Sequence, residues 1–362
     1  RQTGGPTVDD KWLKKMVERH GGDHPLYGWT NQLRGVTHIE STYLYQPDER
    51  GYAHGHYKHS PATFRLSQAE DNFLNVPHHG DAPYADEVRF QIVPSEGCVF
   101  VEADSSSVEG VFTGYFMGSK SFTEIARRGL HSWWCCKTLG LEFTSKNIKY
   151  VKNAKEHDAM YNRRKRVAYA TLYGMEPKLM TILYPSHFPT LKDAKAEQDD
   201  LLEQLPDLQA WWTDIRKFVH KHGYIQSPWG IKAHYYNVYG KEKDWKTGEW
   251  RQKDGEDANS VIAYLPQHAN GMFGRENLKI LGNSWARPYM PCIGYVYDAY
   301  TLDCPEDKID LACDLLAETL TRPIRQLNGT QVGCQIKVGK NWADWDPDTN
   351  PKGMKTMRTV EV

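Results

Sequence analysis

Apolar and polar positions along the chain fall into runs of two different periods. Residues 98–104, CVFVEAD, alternate as a half-exposed strand does. The stretch that follows, VEGVFTGYFMG, has helical spacing behind a glycine-containing start. Helical periods then dominate from about 120 to about 225. One long helix is expected over 150–174, YVKNAKEHDAMYNRRKRVAYATLYG, ending at Gly174, a residue suited to a helix C-terminus. Another, AEQDDLLEQLPDLQAWWTDIRKFVHKHG, is interrupted at Pro206. Residues 240–257, GKEKDWKTGEWRQKDGED, place a Thr-Gly turn between two Trp-bearing polar arms and predict an exposed hairpin. VIAYLPQHANGMFGRENLKILG predicts a helix, and IGYVYDAYTLDC (293–304) a strand-like run with Asp298 in its middle. IDLACDLLAETLTRPI is an amphipathic helix, and GCQIKVGKNWADW closes with a strand. Toward the N-terminus, DDKWLKKMVERHGG predicts one short helix within 1–25. Residues 26–97, rich in Pro, His, Gly and Asn, read as irregular with short strands. The order of elements is that of an α+β fold with a helical lobe inserted between sheet parts.

Composition adds bounds. The 362 residues suffice for two or three packed subdomains. The 12 Trp and 21 Tyr are an aromatic excess that suits a core and also suits stacking on bases. A formal net charge of −1 gives no global basic signal, so a polyanionic partner needs a local patch. Arg127-Arg128 and Arg163-Arg164-Lys165-Arg166 are the candidates. Seven scattered cysteines with no C-x-x-C pair leave no zinc spacing, and they fit a reducing, cytoplasmic compartment. No apolar run reaches membrane-spanning length. The chain begins with Arg rather than Met, as a fragment or processed product would.

Three features carry candidate chemistry. Asp104 stands where an apolar strand leaves the core, with Glu109 five residues on. Asp298 lies in YVYDAY, where a lone carboxylate is costly unless paired or bound to a cation. It could also be a plain turn acid. Two strand-borne acids are what a two-cation site needs, because hard cations take carboxylate oxygens. In RRKRVAYATLYG, Lys165, Tyr169 and Tyr173 recur every four residues, on one helix face that drifts by roughly 40° per step. That stripe fits a triphosphate at one end and a base pair at the other. It equally fits a lysine lying over two half-buried tyrosines.

In these motifs the chain resembles the polymerase region of family A DNA polymerases. Asp104-Ser-Ser-Ser-Val-Glu109 is similar to the family's D-Y-S-x-I-E. Lys165, Tyr169, Tyr173 and Gly174 match K-x3-F/Y-x3-Y-G, and Val296-Tyr297-Asp298-Ala299 stands where V-H-D-E is usual. TFRLSQAEDNFLNVP (63–77) resembles T-G-R-L-S…N-L-Q-N-I-P, and GLHSW supplies His131 in place of D-I-H. GYIQSPWGIKAHY resembles G-Y-V-x-T-x-x-G-R-R-R-Y, and IKVGKNW resembles the closing V-G-x-x-W strand. LPQHA offers Gln267, or His268 after a one-residue shift. The resemblance spans about 35 to 345. Each motif is weak alone, but six or more in one order are specific.

The resemblance implies a right-hand polymerase architecture and template-directed addition of deoxynucleotides to a primer 3′ end. Asp104 and Asp298, helped by the Ser105 carbonyl, would hold two Mg²⁺ ions. Lys165 would act in catalysis and, with His131, hold the triphosphate. Tyr169 would stack near the incoming sugar, and Glu109 would occupy the space of a ribose 2′-hydroxyl. Tyr173 and Gly174 would cover the templating position, while Arg65, Asn72, Asn75 and Gln267 or His268 would line the duplex minor groove. The implied partners are primer-template DNA and deoxynucleoside triphosphates, with replisome proteins as further candidates and no membrane. Departures include Tyr161 for the usual Arg four residues before the lysine, which leaves Arg163 or Arg164 to bind triphosphate. Phe64, Ala170, Tyr297 and Ala299 also depart from the pattern and suggest a divergent, phage-type branch.

The expected division is an N-terminal segment (1–64), a first palm part (65–127), helical fingers (128–260) with the hairpin insertion near 240–257, and a second palm part (261–362). The residues before Arg65, about 60, are too few for an exonuclease domain of roughly 100–150, and the thumb is expected to be truncated or absent. A single-subunit RNA polymerase is a rival reading, which Glu109 opposes. A weakly active or non-catalytic nucleic-acid-binding scaffold is another, which two retained acids oppose.

Overall fold

The computed structural model describes residues 12–13, 16–17, 20, 24–45, 47–59, 62–77, 84–245 and 247–362. The helix expected within 1–25 falls mostly outside them. The first described helix, α1 (Pro25–Tyr43), lies in the stretch read as irregular. Proline at its start presets a helical φ. It buries only Ile39 and Tyr43, so its apolar period is nearly invisible in sequence.

Short strands β1 (Gly55–Lys58) and β2 (Ser67–Glu70) pair antiparallel, and α2 (Ala85–Phe90) leads to β3 (Cys98–Ser105). A helical lobe follows: α3 (Val108–Met117), α4 (Lys120–Arg128), α5 (Leu130–Thr138), α6 (Ser145–Asn153), α7 (Asp158–Leu172), α8 (Pro177–Leu183), α9 (Leu191–Gln204) and α10 (Pro206–His222). The single helix expected over 150–174 is therefore two. Ala154 takes an extended conformation, one tight turn spans Lys155–His157, and Tyr150 donates to Glu156 across the break at 2.9 Å. Asp158 then opens α7, where a carboxylate favours the helix N-terminus. The break between α9 and α10 falls at Leu205, just ahead of Pro206, as expected.

Strands β4 (Tyr224–Gln226) and β5 (Lys232–His234) form one small hairpin. The expected exposed hairpin is β6 (Tyr239–Lys243) against β7 (Trp250–Asp254). The long helix α11 (Ala258–Gly282) returns the chain to β8 (Cys292–Val296), β9 (Ala299–Pro305), α12 (Ile309–Thr321), β10 (Cys334–Gly339) and β11 (Lys355–Val360). The run 293–304 is thus a hairpin rather than one strand, turning on Tyr297 and Asp298. The strand β11 had no counterpart in the sequence reading; its faces are mostly exposed and carry no alternation.

The main sheet has the order β11-β10-β3-β9-β8 and is antiparallel throughout. In β3 the period of two decides which residues meet which layer. Val99, Val101 and Ala103 face a core built with Leu316 and Leu320 of α12 and Ile336 of β10. Phe100 lies on the opposite face, in a cluster with Ile39, Tyr43, Val88 and Trp342. Glu102 and Asp104 follow Phe100 on that face. Gly271 lets α11 cross the segment carrying Arg65: a Cβ there would stand 2.6 Å from the Thr63 carbonyl oxygen and 2.7 Å from the Arg65 nitrogen. The helical lobe has its own core, with Trp134, Phe112, Phe188, Leu201 and Leu208 wholly buried.

Candidate active site

One strand end and one turn bring the two acids together. Asp104 is the penultimate residue of β3, and its Cα pairs across the sheet with Ala299. Asp298 is the residue just before Ala299, in the two-residue turn between β8 and β9. Tyr297, the first residue of that turn, adopts φ +59°, a left-handed conformation uncommon for a non-glycine. The Ser105 N–H donates to the Asp298 carbonyl oxygen at 3.1 Å, and the Asp298 N–H donates back to Val296 at 2.8 Å. Ser105 is buried with an unpartnered hydroxyl.

The two carboxyls are electrostatically opposed. Burial first, then the charge of Asp104, raises the Asp298 pKa to about 8, with Arg65 acting in the other direction. Burial, then Glu102, raises Asp104 to about 6, against the pull of Lys337. Asp104 is exposed at the end of β3 while protein crowds its other sides. Glu102 accepts from Thr301 Oγ1 and from Trp342 Nε1, each at 2.7 Å, which fixes a third negative group two residues from Asp104. Adjacent acids that resist ionisation are a donor set suited to hard cations. By donor chemistry the two carboxylates suit a divalent cation. Among the described residues no cluster of three or more His, Cys, Asp or Glu forms a self-sufficient metal site.

Helix α7 approaches the acids through Tyr169. Lys165, Tyr169 and Tyr173 line one cavity of about 730 Å³, together with Arg166, Glu176 and Asn259. Lys165 is exposed and has no ion-pair or hydrogen-bond partner among the described residues. Burial chiefly raises the Tyr169 phenol; the Ser107 hydroxyl beside it lowers the pKa, while Asp298 and Asp104 reinforce the rise. Tyr169 is thus set against both acids. The Tyr173 hydroxyl donates to Glu109 Oε2, and Arg65 pairs with Glu109 Oε1. Gly174 follows at φ +69°, and a Cβ there would stand 2.6 Å from Ile262 Cδ1 and 2.8 Å from Asn259 Oδ1.

Other expected residues divide into those brought to this cleft and those that are not. His131 Nε2 lies 2.8 Å from the Tyr161 hydroxyl, its ring faces Tyr169, and its Nδ1 is unpartnered. Burial, then Lys165, pushes its pKa down to about 4, so the ring is neutral near pH 7. Asn75 lies near the turn, with its Oδ1 3.4 Å from the Tyr297 hydroxyl. Asn72 caps a short helical turn by accepting from the Leu74 N–H at 3.1 Å. Gln267 is half-buried on α11. The alternative His268 is wholly buried among Tyr264, Phe64 and Trp229, with both ring nitrogens unpartnered. It presents no surface to a duplex.

Arg164 corrects the expectation that it binds triphosphate. Successive helix residues point about 100° apart, so Arg164 turns away from the Lys165 stripe. It is buried in the lobe, donates to Glu197 Oε1 at 3.0 Å and to the Trp134 carbonyl at 2.9 Å, and stacks on the Trp134 ring. Arg163 also pairs with Glu197, at 2.8 Å. The cavity's second cation is Arg166. Sequence reasoning also missed Glu102, Lys337 and Asn259; for Glu102, its position two residues before Asp104 on one strand was the available signal.

An acidic pair on an antiparallel palm-like sheet, faced by a cationic and aromatic helix of an inserted lobe, defines a right-hand polymerase architecture. The comparisons agree. Residues 1–255 match the model of DNA polymerase family A, and the chain belongs to that family. It is 23% identical over 344 residues to the thermostable DNA polymerase I of Thermus filiformis, covering 92% of this chain and 38% of that protein. It is also 23% identical over 358 residues to DNA polymerase I of Chloroflexus aurantiacus, covering 96% of this chain and 35% of that one. The chain thus spans little more than a third of these relatives. A solved structure, the POL domain of Pol1 from M. smegmatis in complex with DNA primer-template and dNTP, superposes with a TM-score of 0.72 at 15% identity. That match covers 94% of this chain and 57% of the other, and it supports the fold. Among the described residues no helix is long and apolar enough to cross a membrane.

Proposed function

We propose that the chain is a template-directed DNA polymerase module that adds deoxynucleotides to a primer 3′ end. The observation that carries this reading is that Asp104 and Asp298 adjoin at the ends of paired strands, with Tyr169 of the Lys165-Tyr169-Tyr173 stripe set against both. Asp104, Asp298 and the Ser105 carbonyl would hold divalent metal, with two Mg²⁺ ions as the best fit to all-oxygen donors. Such ions, when bound, would supply charge neutralisation at the reacting phosphate and a more acidic attacking hydroxyl.

The chain's own residues do the positioning. Lys165 meets triphosphate charge without first breaking an ion pair. Neutral His131 offers a hydrogen bond rather than a charge, with its orientation set by Tyr161. Tyr169 supplies a flat surface beside the incoming sugar. Glu109 is held between Arg65 and Tyr173, so it forms a fixed carboxylate wall where a 2′-hydroxyl would sit. That wall favours a deoxyribonucleotide enzyme over an RNA polymerase. Tyr173 and Gly174 would cover the templating position, and Arg65, Asn72, Asn75 and Gln267 would line the duplex. The proposed division is palm in 65–127 and 261–362, fingers in 128–260, and an N-terminal segment in 1–64.

The test is primer extension with Mg²⁺ and each deoxynucleotide, beside Asp104→Asn and Asp298→Asn. Both variants should lose about three orders of magnitude, since several kcal/mol of charge stabilisation are at stake. Wild-type rates in either variant would refute the assignment. Duplex binding without extension by the wild type would favour the scaffold reading.

A further inference from the structure

The β6–β7 hairpin has one face whose charges pair across the hairpin and one that carries two lysines with no ion-pair partner among the described residues. Cross-strand register places Gly240, Glu242, Arg251 and Lys253 on the first face. There Lys253 pairs with Glu242 at 3.7 Å and Arg251 with Asp244 at 3.0 Å. The second face carries Tyr239, Lys241 and Lys243 opposite Asp254, Gln252 and Trp250. Lys241 and Lys243 have no ion-pair partner among the described residues, and the Trp250 side chain beside them is 67% exposed. Among the described residues the base of this face is anchored, by Tyr239 against the His220 ring and by Asp254 against Arg216.

The anchor also fixes where the hairpin stands. Arg216 holds Asp254 at 3.0 Å, the Asn259 side chain at 3.0 Å and the Ala258 carbonyl at 3.2 Å. Asn259 lines the cavity of Tyr173 and packs against Gly174. One guanidinium therefore ties the base of the hairpin to the rim of the pocket assigned to the templating base. We infer that the Lys241–Lys243–Trp250 face is a contact for single-stranded template just upstream of that pocket, on the 5′ side of the templating base. Two unpaired lysines match phosphate charge, and an exposed indole offers a stacking surface that accepts any base. This inference rests on the polymerase reading above.

The test uses the full chain and two primer-templates that differ only in the template 5′ overhang, one nucleotide or ten. Kd is measured by fluorescence anisotropy, and single-nucleotide incorporation is followed on both. The variants are Trp250→Ala and the pair Lys241→Gln with Lys243→Gln. All three sites are exposed, and an unchanged melting temperature checks the fold. Each variant should bind the long overhang about tenfold more weakly while leaving the short one unchanged. The lysine pair should also lower the salt slope by about 1.4 for the long overhang only. Equal loss on both substrates, or no loss, overturns the inference while wild-type extension keeps the polymerase reading intact. A folded wild type that neither binds nor extends either substrate overturns both.

Discussion

Ser105 donates its backbone N–H to the carbonyl oxygen of Asp298 at 3.1 Å, so the two acidic segments are joined through main chain rather than side chains. Side-chain substitution at either aspartate leaves this link in place. Effects of such variants therefore report on carboxylate chemistry, and the repulsion between the carboxyls is a property of the fold.

Stability without metal should fall as pH rises. Folding raises the Asp298 pKa to about 8 and that of Asp104 to about 6, above the ordinary carboxylate range. Groups raised in this way contribute fully below their unfolded pKa, and the contribution is lost as pH climbs through the folded value. Thermal melts in chelator should therefore decline from about pH 4 to about pH 8, and Asp298→Asn should flatten the decline. Added Mg²⁺ should restore the wild type most at the alkaline end. A flat metal-free profile would remove the electrostatic basis for a cation site here.

Glu109 should govern sugar selection. Glu109→Ala opens the space beside Tyr173 and leaves Arg65 without its carboxylate. Ribonucleotide incorporation relative to deoxyribonucleotide should rise by at least about tenfold, the effect of about 1.4 kcal/mol at one contact. Tyr173→Phe, which keeps the Arg65 pair, should rise less. Competition assays with paired nucleotides measure both, and an unchanged ratio in Glu109→Ala would contradict the assigned role.

Neighbouring cations in α7 should behave oppositely. Arg164→Ala leaves the Glu197 carboxylate with one fewer partner and removes the guanidinium over Trp134, at a cost of about 3 kcal/mol. Denaturant unfolding should show it. Lys165→Ala should leave unfolding within about 0.5 kcal/mol and instead raise KM for nucleotide. If Arg164→Ala alters KM without altering stability, its interior placement has been misjudged.

Gly174→Ala should destabilise by about 1–3 kcal/mol, because φ is +69° and the new methyl meets Ile262 and Asn259. Gly223→Ala, equally left-handed at φ +76° but with open space around its Cβ position, should lose about 1 kcal/mol. The difference in melting temperature between the two isolates the packing against α11.

Much of this was legible in the chain. Alternation in CVFVEAD gave β3 and put Asp104 opposite the α12-packed face, since period two is a strong signal in a half-buried strand. Pro206 marked the α9–α10 break through its missing N–H. Other features left no such trace. The Tyr297-Asp298 turn has no glycine, so YVYDAY reads as one strand although Tyr297 turns left-handed. Helix α1 buries two residues, too few to impose a period. Spacing found Lys165, Tyr169 and Tyr173 together, but whether Arg163, Arg164 or Arg166 shares their cavity depends on rotation about the helix axis and on Glu197, an acid from a distant helix.

The central strand pair of the sheet, β3 with β9, encloses the entire helical lobe, so its partners are about two hundred positions apart in the chain. Closing so long a loop is entropically slow, and such pairing rewards the chain only after the intervening segment is compact. During synthesis Asp104 therefore emerges long before Asp298 exists. The lobe has time to collapse on its own buried tryptophan and leucines first, and the two acids meet only when the β8–β9 hairpin returns to β3.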